Sequence, residues 1–395
     1  MSYEIALSGI NAINTQLETI SNNIANTGTY GFKASRANFA AMYAGTQPTG
    51  VEVSSLTQSI DIGGSVLTTG RGLDAAIQGR GFFVTRDSSG ASMYSRVGIF
   101  STDKDGYIVD SFQRRVQGYE MLPGSTTLGA MGDLKVPAGQ IPAKPSDTMQ
   151  YVGNMSADWA APAAAPFDPA NPLTFNSSQV AVAYDSLGGK HSVGQYFVKS
   201  GVNQVTAHYT FDGAVLPTTT VLDFNTSGAL VSPAAPVALA LGTPAGAAAL
   251  SVALDYTGTT QFGGDATVRV NSANGYASGT MIGVRLSDDG SVIAQYSNNQ
   301  KEAVGRVALA VFPDEASLVP VSDTSWTSSS ESGEPLYFTP GTGMAGSLSG
   351  GALEQSNVDM TSELVGLMSA QRNYQANSKV ISTQTEMMQA LMQAL

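Results

Sequence analysis

The sequence contains no cysteine and only two histidines. Without cysteine the chain has no disulfide bonds, no thiol chemistry and no cysteine-ligated zinc. His191 and His208 lie outside any catalytic motif, and neither a P-loop nor a dinucleotide-binding fingerprint occurs. We therefore predict that the protein is not an enzyme and that it binds neither a cofactor nor a metal ion.

Charged residues are also scarce. They make up 13% of the chain, against a usual share of roughly 25%. The net charge is −12 and no basic run occurs, which argues against a nucleic-acid partner. No stretch reaches the ~18 apolar residues of a membrane span, and the amino end lacks the basic and apolar regions of a signal peptide. We expect no membrane insertion, and any export would proceed without a cleaved signal peptide.

What the sequence does contain is an apolar seam at each end. Residues 1–28 and 360–395 are helix-forming, and their apolar residues recur at steps of three and four, which is a heptad rhythm. Each seam fits either an ordinary amphipathic helix or a contact between chains. The second is favoured because Gln371, Ser378 and Thr385 interrupt the carboxy-terminal seam, and polar seam positions commonly set register and partner number. The residues predicted for self-assembly are Ala6, Ile10, Ile13, Leu17, Ile20 and Ile24, with Leu364, Leu367, Tyr374, Ile381, Met388, Met392 and Leu395; Met360 begins the second seam.

Between the seams, apolar and polar residues alternate between glycine-rich turns, as in β-strands. The predicted fold is mixed and mainly β. Nested antiparallel β domains of sandwich or barrel form are joined to long terminal helices that pair like a coiled coil in a polymer. The predicted parts are a terminal helical domain (1–28 and 360–395), an extended connector (29–72), a middle β domain (73–145 and 286–359) and an outer inserted β domain (146–285).

Finer expectations concern individual segments. The helices should span Tyr3–Asn26 and begin after Asp359, a good N-cap. Residues 232–249 should be loop-like. The Asp103–Gly106 segment reads as a hairpin turn and not as a calcium loop, because the later ligands of such a loop are missing. Trp159 and Trp326 are expected to be partly buried anchors.

Several motifs resemble those of the bacterial flagellar axial family, which comprises rod and hook proteins. They are Asn22-Asn23-Ile24-Ala25-Asn26 followed by Gly31-Phe32, then Gly81-Phe82-Phe83, then Ser356-Asn357-Val358-Asp359. Within the family, Tyr184-Asp185-Ser186-Leu187-Gly188 resembles the hook branch. One departure is Gln113, which stands where the family usually turns on a glycine.

The resemblance implies a structural subunit that polymerises with itself into a curved, hollow helical tube. This tube would be the hook, a universal joint that carries motor torque from rod to filament. The implied partners are the rod, the hook cap, the hook–filament junction proteins and the type III export apparatus. The implied location is the extracellular hook and basal body of the flagellum.

Three alternatives stay open at this point. A distal rod or hook-associated protein is the nearest, although the outer insertion argues against it. A secreted β-rich adhesin or binding module would be a folded monomer with ordered termini and a ligand cleft, and the paired terminal heptads argue against it. A hydrolase would need a convergent set of acid, base or nucleophile, and two histidines without cysteine make this unfavourable.

Overall fold

The two terminal helices are the only helices longer than one turn in the computed structural model, which describes residues 2–122, 127–137 and 139–394. Helix α1 spans Ser2–Ala25 and α2 spans Met360–Ala394, with 24 and 35 residues. Asp359 caps α2: its carboxylate accepts hydrogen bonds from the Ser362 hydroxyl at 2.7 Å and the Thr361 N–H at 2.9 Å. The bond from Ser362, more than any other contact, lowers the pKa of the Asp359 carboxyl. The predicted helix ends are confirmed to within one residue.

Apart from one 3-10 turn, the other regular elements of the described chain are β-strands, joined by turns and loops. The first strands are β1 Ser35–Ala44, β2 Gln47–Gln58, β3 Val66–Thr68, β4 Ala75–Gln78, β5 Phe82–Arg86, β6 Ser92–Ser95, β7 Phe100–Thr102, β8 Ile108–Asp110, β9 Arg115–Met121 and β10 Leu128–Asp133. The next are β11 Gln140–Ile141, β12 Thr148–Ser156, β13 Ser177–Tyr184, β14 Lys190–Gly201, β15 Gln204–Phe211, β16 Ala214–Phe224, β17 Leu230–Ser232, β18 Val237–Gly242, β19 Leu250–Asp255, β20 Thr260–Phe262 and β21 Thr267–Ala273. The last are β22 Gly279–Leu286, β23 Ser291–Tyr296, β24 Lys301–Val307, β25 Leu309–Val311, β26 Val319–Val321, β27 Ser325–Thr327, β28 Leu336–Phe338, β29 Ser347–Gly350 and β30 Ala352–Glu354. A single 3-10 turn, Pro172–Thr174, follows β12.

The chain divides into two compact units. One, here called the helix-bearing unit, comprises Met1–Ala138, Ile282–Gln295 and Lys301–Leu395. The other, here called the inserted unit, comprises Gly139–Met281 and Tyr296–Gln300.

In the helix-bearing unit, β1 and β2 form a long antiparallel ribbon. It runs from Ser35 opposite Gln58 to Ala44 opposite Gln47. We expected an extended connector with short strands here, whereas these strands have ten and twelve residues. The ribbon lies against α1, where the Val51 N–H donates to the Ser8 hydroxyl at 3.2 Å. This contact with α1 helps to hold the ribbon in place, and the glycine and proline residues that suggested a connector do not reveal it.

The β core of the helix-bearing unit is aromatic. Phe82 on β5 contacts Phe312 and Trp326, with ring centroids 6.1 and 5.6 Å apart. The Trp326 indole N–H donates to Gln58 Oε1 at 2.7 Å, so this side chain is an anchor as predicted, although it is fully and not partly buried. The hairpin expected at Asp103–Gly106 is confirmed by the antiparallel pairing of β7 with β8.

The inserted unit is a sandwich of two five-stranded sheets. One sheet has the order β13 to β17, and the other has β18-β19-β12-β20 with β21 also on β12. Alternate residues of both sheets face one core that includes Phe197, Tyr209 and Leu254. Trp159 packs against this core and is partly buried, as predicted.

The mainly β, mainly antiparallel fold is confirmed, but one expectation about the inserted unit is wrong and another has an exception. Residues 232–249 are not wholly loop-like, because β18 pairs there with β19. The pairing is not antiparallel throughout, because β12 pairs in parallel with β19 and with β20. Strands β19 and β20 are separated by a short turn and run in the same direction along one edge of β12, so both become parallel to it.

Candidate assembly surface on the terminal helices

The two terminal helices pack against each other in antiparallel fashion. Asn23 near the end of α1 meets Glu363 near the start of α2, with 2.8 Å between Nδ2 and Oε1. At the other end of α1, Gly9 lies against Asn377. Between these points lies a small apolar cluster made of Ile13, Ile20 and Ala370, flanked by Leu17, Ile24 and Leu367.

The predicted seam of α1 largely faces this cluster. Ala6, Ile13 and Ile20 are buried, and Ile10, Leu17 and Ile24 are half-buried. A heptad spacing places such residues on one side of a helix. The seam of α1 therefore contributes to packing within the single chain.

The predicted seam of α2 is mostly open to solvent. Met360, Leu364, Tyr374, Met388 and Met392 are exposed, whereas Leu367 and Ile381 are half-buried. Leu395 lies outside the described residues. Of this seam only Leu367 joins the cluster with α1, so most of its apolar surface has no partner within the described chain.

The face that α2 turns towards α1 is a neighbouring one. It includes Glu363, Gly366, Ala370 and Asn377, none of which we predicted from the apolar rhythm. An ideal Cβ on Gly366 would lie 3.4 Å from the Ile20 side chain. Small residues four apart, Gly366 and Ala370, were the signal that could have identified this close helix contact.

The far end of α2 extends beyond α1. Gly9 lies opposite Asn377, and α1 begins seven residues earlier, at Ser2. With equal rise per residue in both helices, Ser2 lies level with about residue 384 of α2. The overhanging turns carry four exposed large apolar side chains, Met387, Met388, Leu391 and Met392. This overhang adds to the uncovered apolar surface of α2.

Asn23 and Asn357 hold the end of the helix pair at which α1 ends and α2 begins, here called its base. The Asn23 amide accepts from the Ser35 N–H at 2.9 Å and donates to the Ser35 carbonyl at 2.8 Å. The Asn357 amide accepts from the Ala34 N–H at 2.7 Å and donates to the Ser59 carbonyl at 2.9 Å. Both therefore hold the backbone that follows α1, since an asparagine amide can donate and accept at once.

The other motif residues shape the turns around that base. Asn26 donates to the Asn22 carbonyl at 3.0 Å, and Phe32 is half-buried. Gly31 has φ +68°, and a Cβ there would lie 3.0 Å from the Val97 backbone nitrogen, so only glycine fits. The Ser356 hydroxyl accepts from the Val358 N–H at 3.3 Å, just before the Asp359 cap.

The Gly81-Phe82-Phe83 motif lies away from the helices, in the β core. Phe82 and Phe83 are fully buried, and Phe83 meets Phe100 edge-on with centroids 5.0 Å apart. Gly81 has φ +115°, a conformation that other residues rarely adopt. These residues therefore stabilise the β core and are not part of the exposed face of α2.

The two histidines have structural partners in the inserted unit. The His191 ring lies 2.7 Å from Asp212 Oδ2 and 3.1 Å from Asp185 Oδ2, and these hydrogen bonds, led by that to Asp212, raise the pKa of His191. His208 stacks on Phe167 at 4.3 Å, and burial lowers the pKa of His208. Within residues 2–122, 127–137 and 139–394, no three His, Asp or Glu side chains are grouped as metal ligands. No helix in the described part is long and apolar enough to cross a membrane.

Comparison with known families matches four segments of the chain. Residues 4–33 match "Flagella basal body rod protein", and residues 76–151 match "Flagellar hook protein FlgE/F/G D1 domain". Residues 154–276 match "Flagellar basal body protein FlaE D2 domain", and residues 349–394 match "Flagellar basal body rod FlgEFG protein C-terminal".

Curated relatives match along nearly the whole chain. The flagellar hook protein FlgE of Escherichia coli strain K12 is 36% identical over 400 residues, covering 99% of both chains. That of Salmonella typhimurium is 37% identical over 402 residues with the same coverage, and that of Brucella suis is 33% identical over 395 residues, covering 98% of this chain and 96% of its own.

A solved structure shares the fold. The flagellar hook protein FlgE2 of Helicobacter pylori has a TM-score of 0.53 at 12% identity, over 71% of this chain and 98% of that one. Identity above 30% over almost the full length, together with the matching rod and hook segments, shows that the chain belongs to the flagellar hook protein FlgE family.

Proposed function

We propose that this chain builds the flagellar hook by polymerising through its two terminal helices into a curved, hollow helical tube. Membership of the family makes it a structural subunit of the bacterial flagellar hook and not a member of an enzyme family. The proposal adds the manner of assembly and the mechanical role of the product as a universal joint between rod and filament.

The observation that carries the proposal is the uncovered apolar seam of α2. Leu364, Tyr374, Met388 and Met392 are exposed in the single chain although they follow a heptad rhythm. Burying a large apolar side chain stabilises by roughly 1.5–3 kcal/mol, so this row is costly to leave in water. A second copy of the chain, with the same rhythm on its own helices, is the partner that fits the spacing.

Such contacts can generate a tube. The surface used on one copy differs from the surface that receives it, and contacts of this kind that do not close into a ring produce a helical polymer. The β parts carry few charges and many small residues, so we propose that their mutual contacts are weaker and slide as the tube bends. The helix contacts would hold while the outer contacts rearrange.

The domain division and the partners also belong to this proposal. Residues 1–28 with 360–395 would form the inner tube, 29–72 the connector, 73–145 with 286–359 the middle domain and 146–285 the outer domain. The rod, the hook cap, the hook–filament junction proteins and the type III export apparatus would be the partners during export and growth. The flagellar location itself follows from the family.

Electron microscopy of the purified protein tests the proposal. The full chain and a chain lacking residues 1–28 and 360–395 would be incubated with short isolated hooks as seeds. We expect curved hollow tubes from the full chain and compact monomers from the shortened one. Tubes from the shortened chain would show that the β parts and not the helices drive assembly, and monomers from both would contradict self-assembly.

A further inference from the structure

Three separate chain segments meet at the base of the helix pair, inside the helix-bearing unit. They are residues 29–36 after α1, residues 59–64 after β2, and residues 354–359 before α2. The first segment joins α1 to the β1–β2 ribbon, and the second joins that ribbon to the strands that surround Phe82, here called the β body. The third leads from β30 into α2, so the helix pair has two covalent paths to the β body. Two covalent connections by themselves leave a hinge, so any rigidity must come from contacts between the segments.

Glu354 belongs to the third segment and contacts both of the others and the β body. Its carboxylate accepts from Lys33 Nζ at 2.7 Å and from the Gly64 N–H at 3.0 Å. Its backbone carbonyl accepts from the Gly31 N–H at 2.8 Å. Its second carboxylate oxygen accepts from Arg96 Nη1 in the β body at 3.4 Å. One residue thus ties the segment after α1, the segment after β2 and the β body to the start of α2.

The three charged side chains that meet at Glu354 are fully buried. The side chains of Lys33, Glu354 and Arg96 are 0%, 1% and 2% exposed. Lys33 Nζ also donates to the Ile62 carbonyl at 2.7 Å. A Cβ on Gly64 would lie only 1.8 Å from the Gln355 carbonyl oxygen, so the segments touch backbone to backbone. No flexible side chain separates them, and a displacement of one must move the others.

The charges in this group do not serve stability alone. Burial lowers the pKa of Lys33 even though Glu354 opposes that shift, and burial likewise lowers the pKa of Arg96. Replacing a buried ion pair by apolar residues is often neutral or stabilising. Buried charges do, however, fix one geometry, because each must keep its partner in place.

We propose that Glu354 is a positioning residue that locks the helix pair to the β body, so that torque passes through each subunit without bending at this joint. The role of the lock rests on the proposed hook function. The bending of a hook would then occur at contacts between subunits. Because Glu354 lies apart from the exposed seam of α2, loss of the lock should leave the contacts between copies intact.

Because two cations share one anion, removing the anion should disturb the joint more than removing one of the cations. Lys33 and Arg96 share the carboxylate of Glu354, so Glu354→Gln leaves two buried cations without a directly bonded anion. Lys33→Met instead leaves one cation with one anion and keeps the length of the side chain. We therefore expect Glu354→Gln to open the joint and Lys33→Met to have a much smaller effect. The double variant should recover part of the loss.

The first measurement is chymotrypsin cleavage of the full-length monomer after Tyr30 and Phe32, both half-buried in the segment after α1. The matched control is Asp133→Asn, which breaks the more exposed pair between Asp133 and Arg115. We expect Glu354→Gln to accelerate cleavage by about 100-fold and Lys33→Met by less than about tenfold, because cleavage follows the population of the opened joint. Glu354→Gln cleaved at the rate of the control would overturn the proposal.

The second measurement is the bending and torsional compliance of hooks in living cells that make each variant. Hooks of normal length with raised compliance in Glu354→Gln, and with wild-type compliance in Asp133→Asn, are expected. Unchanged compliance in Glu354→Gln hooks would overturn the lock. If Glu354→Gln cells make no hooks, the cleavage comparison decides. If the unaltered chain makes no hooks either, the proposed function fails, while the cleavage result still judges the lock.

Discussion

Leu364 provides the sharpest test of assembly, because its side chain is not needed by the monomer. It lies just beyond the first turn of α2, is 46% exposed and belongs to the part of the seam that has no partner in the described chain. The change Leu364→Asp should leave the monomer folded, since exposed substitutions usually change the free energy of unfolding by less than about 0.5 kcal/mol.

The effect on the polymer should be large. The unburied half of the leucine would contribute about 1 kcal/mol when a second copy covers it. A carboxylate buried there without a partner would cost at least about 2 kcal/mol more. Because every 1.4 kcal/mol is a factor of about ten, the sum of about 3 kcal/mol raises the critical concentration for polymer growth by about 100-fold.

The assay is sedimentation of polymer grown on hook seeds over a range of protein concentrations. The control is Ser369→Asp, which makes the same change of charge at an exposed position on another side of α2. We expect normal growth from the control and thermal unfolding of both monomers at the wild-type temperature. If Leu364→Asp grows at the same critical concentration as the control, the seam does not join copies and the reasoning fails.

Three smaller predictions concern single interactions. Gln113 has φ +65°, so Gln113→Gly should raise the free energy of unfolding by about 0.5 kcal/mol in denaturant titrations, whereas Gln113→Ala should give no gain. The pKa of His191 is raised in the folded chain. The stabilisation that His191 contributes is therefore complete below its ordinary pKa of 6.5 and is lost as the pH rises through the higher pKa of the folded chain. His191→Gln should remove that loss from the pH dependence of the melting temperature. Asn357→Ala should lower the free energy of unfolding by about 1–3 kcal/mol, because the Ala34 N–H and the Ser59 carbonyl lose their partner; unchanged denaturant midpoints would contradict this.

The sequence by itself determined the elements of this protein. Heptad spacing at both ends predicted α1 and α2, and the Asp359 cap predicted where α2 begins, because these signals are local. Alternation between turns predicted strands such as β15, whose residues Val205, Ala207 and Tyr209 face one core. The motifs of the two ends and the middle were sufficient to indicate the flagellar axial family.

Only the tertiary structure decided which surfaces are already used. Ala370 and Gly366 lie against α1, because the close approach of two helices selects small side chains. Of the described residues of the predicted α2 seam, Leu367 alone joins the apolar cluster with α1. The parallel pairing of β12 likewise depends on how distant strands enter one sheet. Glu354 lies 321 positions after Lys33 and 258 positions after Arg96 in the sequence. No local sequence pattern relates residues so far apart. Their meeting at the base of the helices follows from the fold as a whole, since a buried charge can be satisfied only by partners that the folded chain brings to it.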